Sequence, residues 1–227
     1  MSMSLAQQLA AESIAAVAKG RNLQDVLAAI RAAHPELTAQ ELGALQDIAY
    51  GCQRYLGSLK YMLAQMLKKP IGNPQLESLL LAALYQLNHT RNAPHAVVNE
   101  AVENIAKIGR GQYRSFANAI LRRFLREKEQ LNAQCRRDDT AKYNFPRWWL
   151  DYMRQAYPKH WHNIVTAANG HPPLTLRINR HHGNAEGYLE KLAAEGIAGK
   201  ALDEYAVILE EAVPVSRLPG FSDGLVV

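Results

Sequence analysis

Two thiols and a run of guanidinium groups are the side chains in this sequence best placed to do chemistry. Cys52 and Cys135 are its two cysteines. A cysteine attacks only as a thiolate, which needs a cationic neighbour, a helix N-terminus or a paired base. Neither thiol sits in a CxxC pair or beside a histidine cluster, so both read as reduced structural residues. No catalytic residue is assigned. The arginines are more promising. Arg110, Arg114, Arg122, Arg123 and Arg126 are spaced for a single helix and its entry. At 100° per residue, Tyr113, Phe116, Ile120 and Phe124 share one side. Arg122 and Arg126 fall nearly opposite, with Arg110 and Arg114 along a flank. Such a helix can bury its aromatics and offer guanidinium forks that match phosphate oxygens. The competing reading is a solvated face whose arginines pair with Glu103, Glu127 or Glu129.

Other positions carry weaker signals. Arg91 lies in a loop ahead of Pro94 and His95, where it could hold a phosphate near a helix N-terminus or cap a neighbouring helix's carboxyl end. Arg177 and Arg180 flank a short strand pattern and could reach a substrate backbone. His95, a lone histidine early in an apolar helix, is expected to make a core hydrogen bond. His181 and His182 are adjacent and lack further ligands at suitable spacing, so no metal is assigned. Trp148, Trp149 and Trp161 could stack on unpaired bases. The alternative, packing between two domains, uses their large apolar area.

The charge is unevenly placed. The 227 residues carry a net charge of +5. Residues 105–160 hold 13 Lys/Arg against 5 Asp/Glu, residues 161–227 hold 5 against 8, and the first 104 hold 8 of each. Localised basic charge points to a polyanion. The hydrophobic fraction of 48% is that of a globular protein. No run approaches the roughly 18 apolar residues of a membrane span, and the start has no signal-peptide pattern. A cytoplasmic setting, with no membrane partner, is the expectation.

The elements that must position these residues are mostly helical. Leu5, Leu9, Ala16 and Val17 form a stripe ended by Gly20, and Asn22 can cap a second helix that stops at His34-Pro35. Thr38 with Glu41 reads as a capping box, opening a helix through Cys52. Gly57 is expected to divide it from a stripe running from Leu59 to Leu67, closed by Pro70. Asn73-Pro74 and Pro94 each open a further helix. Gly109-Arg110-Gly111 is a break, and the arginine-bearing helix follows. About seven helices joined by short loops can bury one bundle core. The polar stretch Arg136–Thr140 has no apolar period and is taken as a domain boundary. Beyond it, Pro146 opens an aromatic-rich helix and a short helix holds Trp161. Leu174, Leu176 and Ile178 alternate as a strand, residues 184–195 read as helix, and Ala206–Leu209 reads as a second strand. Leu225-Val226-Val227 is an apolar ending that should continue or be paired, and its abruptness suggests truncation.

Two stretches carry a family likeness: Arg91-Asn92-Ala93-Pro94-His95-Ala96-Val97-Val98-Asn99-Glu100-Ala101-Val102, and Phe116-Ala117-Asn118-Ala119-Ile120-Leu121-Arg122-Arg123. They resemble the NusB-like helical domain that begins the RsmB/Sun (Fmu) family of ribosomal RNA small subunit cytosine-C5 methyltransferases. Pro172–Asn179 looks like that family's pre-catalytic segment, and Leu218–Gly224 like its junction with the catalytic core. The resemblance implies a mainly α chain: a NusB-like all-helical RNA-binding bundle over residues 1–136, then a small α+β domain over 137–227. It implies small-subunit ribosomal RNA as partner and, for the full-length family enzyme, S-adenosylmethionine as cofactor.

The chain departs from the family pattern in two ways. It has no glycine-rich cofactor loop, and neither cysteine matches the family's Pro-Cys nucleophile. Met1–Ala18 also contains no Lys or Arg, where NusB-like domains often carry an arginine-rich segment. The expectation is therefore an RNA-recognition portion that positions ribosomal RNA, with the catalytic and cofactor-binding domain absent and no activity alone. Its alternative is a stand-alone NusB-like antitermination factor of transcription regulation, which the second domain argues against.

Overall fold

A computed structural model describes residues 3–170 and 172–227. Local chemistry sets most helix ends. Helix α1 spans Met3–Ala18. Asn22 opens α2 (Leu23–Ala33) by accepting from the Gln24 and Asp25 amides. Thr38 and Glu41 cap α3 (Ala39–Arg54) reciprocally: the Glu41 amide donates to Thr38 Oγ1 at 3.2 Å and the Thr38 amide to Glu41 Oε2 at 3.0 Å. Asn73 and Pro74 begin α5 (Pro74–His89), and Pro94 begins α6 (Pro94–Ala106). Between α6 and α7 (Arg114–Cys135), Gly109, Arg110 and Gly111 all take positive φ, which two glycines tolerate and Arg110 bears as the one bulky residue of the turn.

One breaker acts differently from expectation. The chain bends at Tyr55, and Gly57 lies inside the first turn of α4 (Leu56–Met66). Its role is close approach. A methyl group at Gly57 would run into the Thr140 carbonyl oxygen and the Asn144 Cα of the segment packed on it. That segment includes α8 (Asp139–Tyr143), capped by Asp138 and followed by Asn144 in the left-handed region. The Asn144 side chain accepts from the Ser58 amide at 2.8 Å, tying the segment to α4.

The core is built around α5. Every residue from Ser78 to Leu87 is buried, which requires neighbours on all sides. Helices α1, α3, α4, α6 and α7 supply them. Burying each Leu side chain contributes about 1.5–3 kcal/mol, so α5 is the largest single contributor to this core. A smaller core of Tyr143, Leu150, Met153 and Val165 joins α8 to α9 (Arg147–Ala156) and α10 (Trp161–Ala168).

Packing divides the chain between Asn169 and Gly170. The segment from 137 to 169, which composition groups with the second domain, is therefore compact with the helical bundle: α8 rests on α4 and α7, and α9 and α10 build on α8.

The second unit holds a three-stranded antiparallel sheet of order β1-β3-β2, from β1 (Thr175–Arg177), β2 (Gly199–Asp203) and β3 (Ala206–Leu209). Helix α11 (Ala185–Ala194) packs on β2 and β3. Leu176, Ile178, Tyr188, Leu192, Val207 and Leu209 are buried together. The apolar ending is paired: Arg177 and Val227 exchange backbone hydrogen bonds at 2.8 and 3.0 Å. Strand β2 is absent from the sequence reading because Lys200 to Asp203 are exposed and show no alternation.

Gly57→Ala is expected to destabilise the helical unit by about 1–3 kcal/mol through overpacking. Gly43→Ala, in α3 with open space around it, should stabilise by up to about 1 kcal/mol. Denaturant unfolding followed by circular dichroism separates the two; equal effects would remove the close-approach account of Gly57.

Candidate nucleic-acid interface

Helix α7 faces the core with Ala117, Ile120, Leu121, Phe124, Leu131 and Cys135. Its arginines therefore point outward, but they differ in how far they are spent. Arg114 pairs with Glu103. Arg123 is the most engaged: its Nε meets both Glu127 carboxylate oxygens at 3.0 Å, and Nη1 donates to the Met66 carbonyl at 3.1 Å, satisfying the end of α4. Arg122 donates from Nε to Asn118 Oδ1 at 3.0 Å and remains exposed. Arg110, Arg126 and Arg91 are exposed and form no ion pair among the described residues. Arg177 is exposed on β1 in the second unit. Arg122 and Arg126, one turn apart, thus share an uncompensated positive face, with Arg110 at the helix entry.

The wheel misplaces Phe116. It is 37% exposed, because the buried stripe runs through Ala117, Leu121 and Phe124 and Phe116 lies about 100° round the helix from Ala117. With Tyr113 it lines a groove of about 1190 Å³ together with Lys19, Arg21 and Lys69. These cations lie just beyond Met1–Ala18 and at the start of the α5 entry loop. They restore positive charge near α1 that its own sequence lacks. The signal was present as Lys19-Gly20-Arg21 and Lys68-Lys69, in a stretch whose net balance concealed it.

His95 is exposed at the start of α6, so the expected core hydrogen bond does not form. His89, also exposed, makes ring contacts that sequence reasoning passed over. Its ring stacks on Tyr55 at 3.8 Å and 12°. Partial loss of water and the nearby Lys128 push its pKa down to about 4, leaving the ring neutral at physiological pH. The Asn88 side chain donating toward Nε2 at 3.1 Å suits that neutral form. Among the described residues, no group of three His, Cys, Asp or Glu side chains is arranged to hold a metal, and no helix is long and apolar enough to cross a membrane.

The thiols are poorly placed for attack. Cys52 is fully buried, its Sγ donating to the Leu81 carbonyl at 3.6 Å. Burial first, and Asp47 second, push its pKa far up. Cys135, against the Ser58 carbonyl, is pushed up to about 11, chiefly by burial. Alkylation at pH 8, read by mass spectrometry, should label neither thiol in the folded protein and both after unfolding. Rapid native labelling of either would contradict this assignment.

Together these features define a helical bundle with an uncompensated basic helix, continued by a small antiparallel α+β unit. The NusB family matches residues 4–126. The methyltransferase RsmF/B-like, ferredoxin-like domain matches residues 145–216. The chain belongs to the NusB family, with an RsmF/B-type ferredoxin-like domain behind the bundle. The ferredoxin-like match begins at residue 145, just ahead of α9, and runs across the packing division at 169.

Three relatives share the description ribosomal RNA small subunit methyltransferase B. That of Pectobacterium carotovorum is 36% identical over 93% of this chain and 51% of its own length. That of Serratia proteamaculans is 37% identical over 94% and 51%, and that of Escherichia coli K12 is 35% identical over 97% and 52%. The chain spans about half the length of these relatives. The crystal structure of PH0851 matches with a TM-score of 0.59 at 14% identity, covering all of this chain and 53% of that one, and supports the fold.

Proposed function

We propose that residues 1–227 form the RNA-recognising portion of an S-adenosylmethionine-dependent 16S ribosomal RNA cytosine-C5 methyltransferase. In this reading they grip small-subunit ribosomal RNA in the cytoplasm and present a cytosine to a catalytic domain elsewhere in a longer enzyme. The observation that carries it is the uncompensated guanidinium face of Arg122 and Arg126 on α7, in a chain whose relatives are named for small-subunit ribosomal RNA methylation. Guanidinium groups without a carboxylate keep their full charge for phosphate.

Arg110 and Arg91 extend the grip from the loops that open α7 and α6. Arg114 contributes by exchanging Glu103 for phosphate, since an exposed ion pair is worth only about 0–1 kcal/mol. Arg123, anchored on Met66, lends field more than contact. Arg177 serves the second unit. The ferredoxin-like domain favours this reading over a free-standing antitermination factor. The cysteines supply no nucleophile, so methyl transfer is not expected from these residues alone; turnover of S-adenosylmethionine by the purified chain would sink that part.

Binding of the chain to a small-subunit ribosomal RNA fragment, followed by fluorescence anisotropy, should weaken linearly with the logarithm of salt. Arg122→Ala with Arg126→Ala should flatten the slope by about one to two phosphate contacts. An unchanged slope removes α7 from the interface, and no binding at low salt removes the RNA reading.

A further inference from the structure

The end of α4 carries positive charge that the arginines of α7 do not account for. Lys60, Leu63 and Ala64 lie on one side of α4, and Leu67 follows where the helix ends. The loop beyond it, through Lys68, Lys69 and Ile71, lies beside this side, and together they enclose a groove of about 360 Å³. Leu63 is buried, and Leu67 and Ile71 are half-buried, so the floor is aliphatic. Lys60, Lys68 and Lys69 are exposed and form the rim. None of these three lysines forms an ion pair or a side-chain hydrogen bond among the described residues. Glu77 is the one carboxylate lining the groove, and it is unpaired as well. It sits in the first turn of α5, where the positive end of the helix offsets its charge. The groove therefore keeps a net positive charge that the fold itself does not use.

Its two neighbours fix the class of occupant. On α7, Arg126 stands about 40° round the helix from Arg122, and Arg123 about 60° further the same way. The Arg123 guanidinium donates to the carbonyl of Met66, one residue before Leu67 of the floor. The uncompensated face of Arg122 and Arg126 thus leads toward this end of α4. On the other side, Lys69, Pro70 and Ile71 also line the larger groove that holds Lys19 and Arg21. A ligand with a negative charge at every repeat meets all of these cations. A single small anion uses one of them, and a protein segment needs an acidic residue for each. Lysine ammonium groups take phosphate as point charges, and the C–H faces of the sugars suit an aliphatic floor.

We propose that this groove is a second RNA grip, separate from α7: Lys60, Lys68 and Lys69 hold phosphates of the strand, and its sugars rest on Leu63, Leu67 and Ile71. The proposal rests on the RNA reading above and adds to it a path for the strand, from the arginine face of α7 over the end of α4.

The test uses the whole 227-residue chain and the small-subunit ribosomal RNA fragment. Lys60→Gln with Lys68→Gln, which spares the shared Lys69, should flatten the salt slope by about one to two phosphate contacts. That loss should add to the loss from Arg122→Ala with Arg126→Ala when all four changes are combined. Lys159→Gln with Lys191→Gln removes the same charge at exposed positions outside the groove and should leave the slope unchanged. All four lysines are exposed, so thermal unfolding should be unaltered.

A slope unmoved by the Lys60 and Lys68 changes, with the Arg122/Arg126 pair still flattening it, overturns the groove and leaves the RNA reading intact. Equal flattening by both lysine pairs reduces the effect to total charge and also overturns it. Absence of any RNA binding at low salt removes both readings. Binding of a peptide of alternating leucine and glutamate that Lys60→Gln with Lys68→Gln abolishes, with the RNA slope unmoved, gives the groove to a protein segment and equally overturns the proposal.

Discussion

The burial of α5 on every side is the constraint from which the helical unit follows. A helix with no solvent-facing stripe, buried continuously from Ser78 to Leu87, is stable only inside a cage of other helices. Each of those helices must turn its apolar stripe inward and send its remaining residues out. The basic character of α7 is a consequence. Ile120, Leu121 and Phe124 are committed to the core, so Arg122 and Arg126 have nowhere to go but water. The rigidity of the cage then fixes where those charges stand, at no further cost in order.

What distinguishes a binding surface from a solvated one here is the fate of each guanidinium. Arg114 and Arg123 find carboxylates within the bundle; Arg122 and Arg126 do not. Local excess charge in the sequence does not make that distinction, because Glu103 and Glu127 sit among the same residues and only folding decides which arginines they reach. The carboxylate-paired reading of the arginine run holds for Arg114 and Arg123 and fails for Arg122 and Arg126.

The caps were legible because they are chemistry at fixed spacing: Asn22, Thr38 with Glu41, and Asn73 with Pro74 act on backbone groups two or three residues away. Long-range consequences were less so. Gly57 read as a breaker because its contact with Thr140 is invisible along the chain. Phe116 read as core because the wheel was centred on the aromatics and Ile120, whereas the buried stripe runs through Ala117, Leu121 and Phe124. Strand β2 is an edge whose pairing is carried by backbone, so no side-chain alternation announced it. The composition change near 136 marks a polar corner, while packing continues to 169 because Tyr143, Leu150 and Val165 form a core of their own. Trp148 was weighed as a base-stacking residue or as interdomain packing, and its 70% exposure, which the sequence does not carry, shows that it is not packed.

The joint between α4 and α8 links these parts. Gly57 allows the backbones to touch, and Asn144 bridges to the Ser58 amide while its left-handed conformation turns the chain into Phe145 and α9. A short polar side chain tolerates that backbone where a branched one does not. The aromatic face of α9 and the arginine face of α7 are thereby held on one compact body. One glycine and one asparagine thus join the segment that follows the polar corner near 136 to the helices of the bundle, which is why packing continues past that corner.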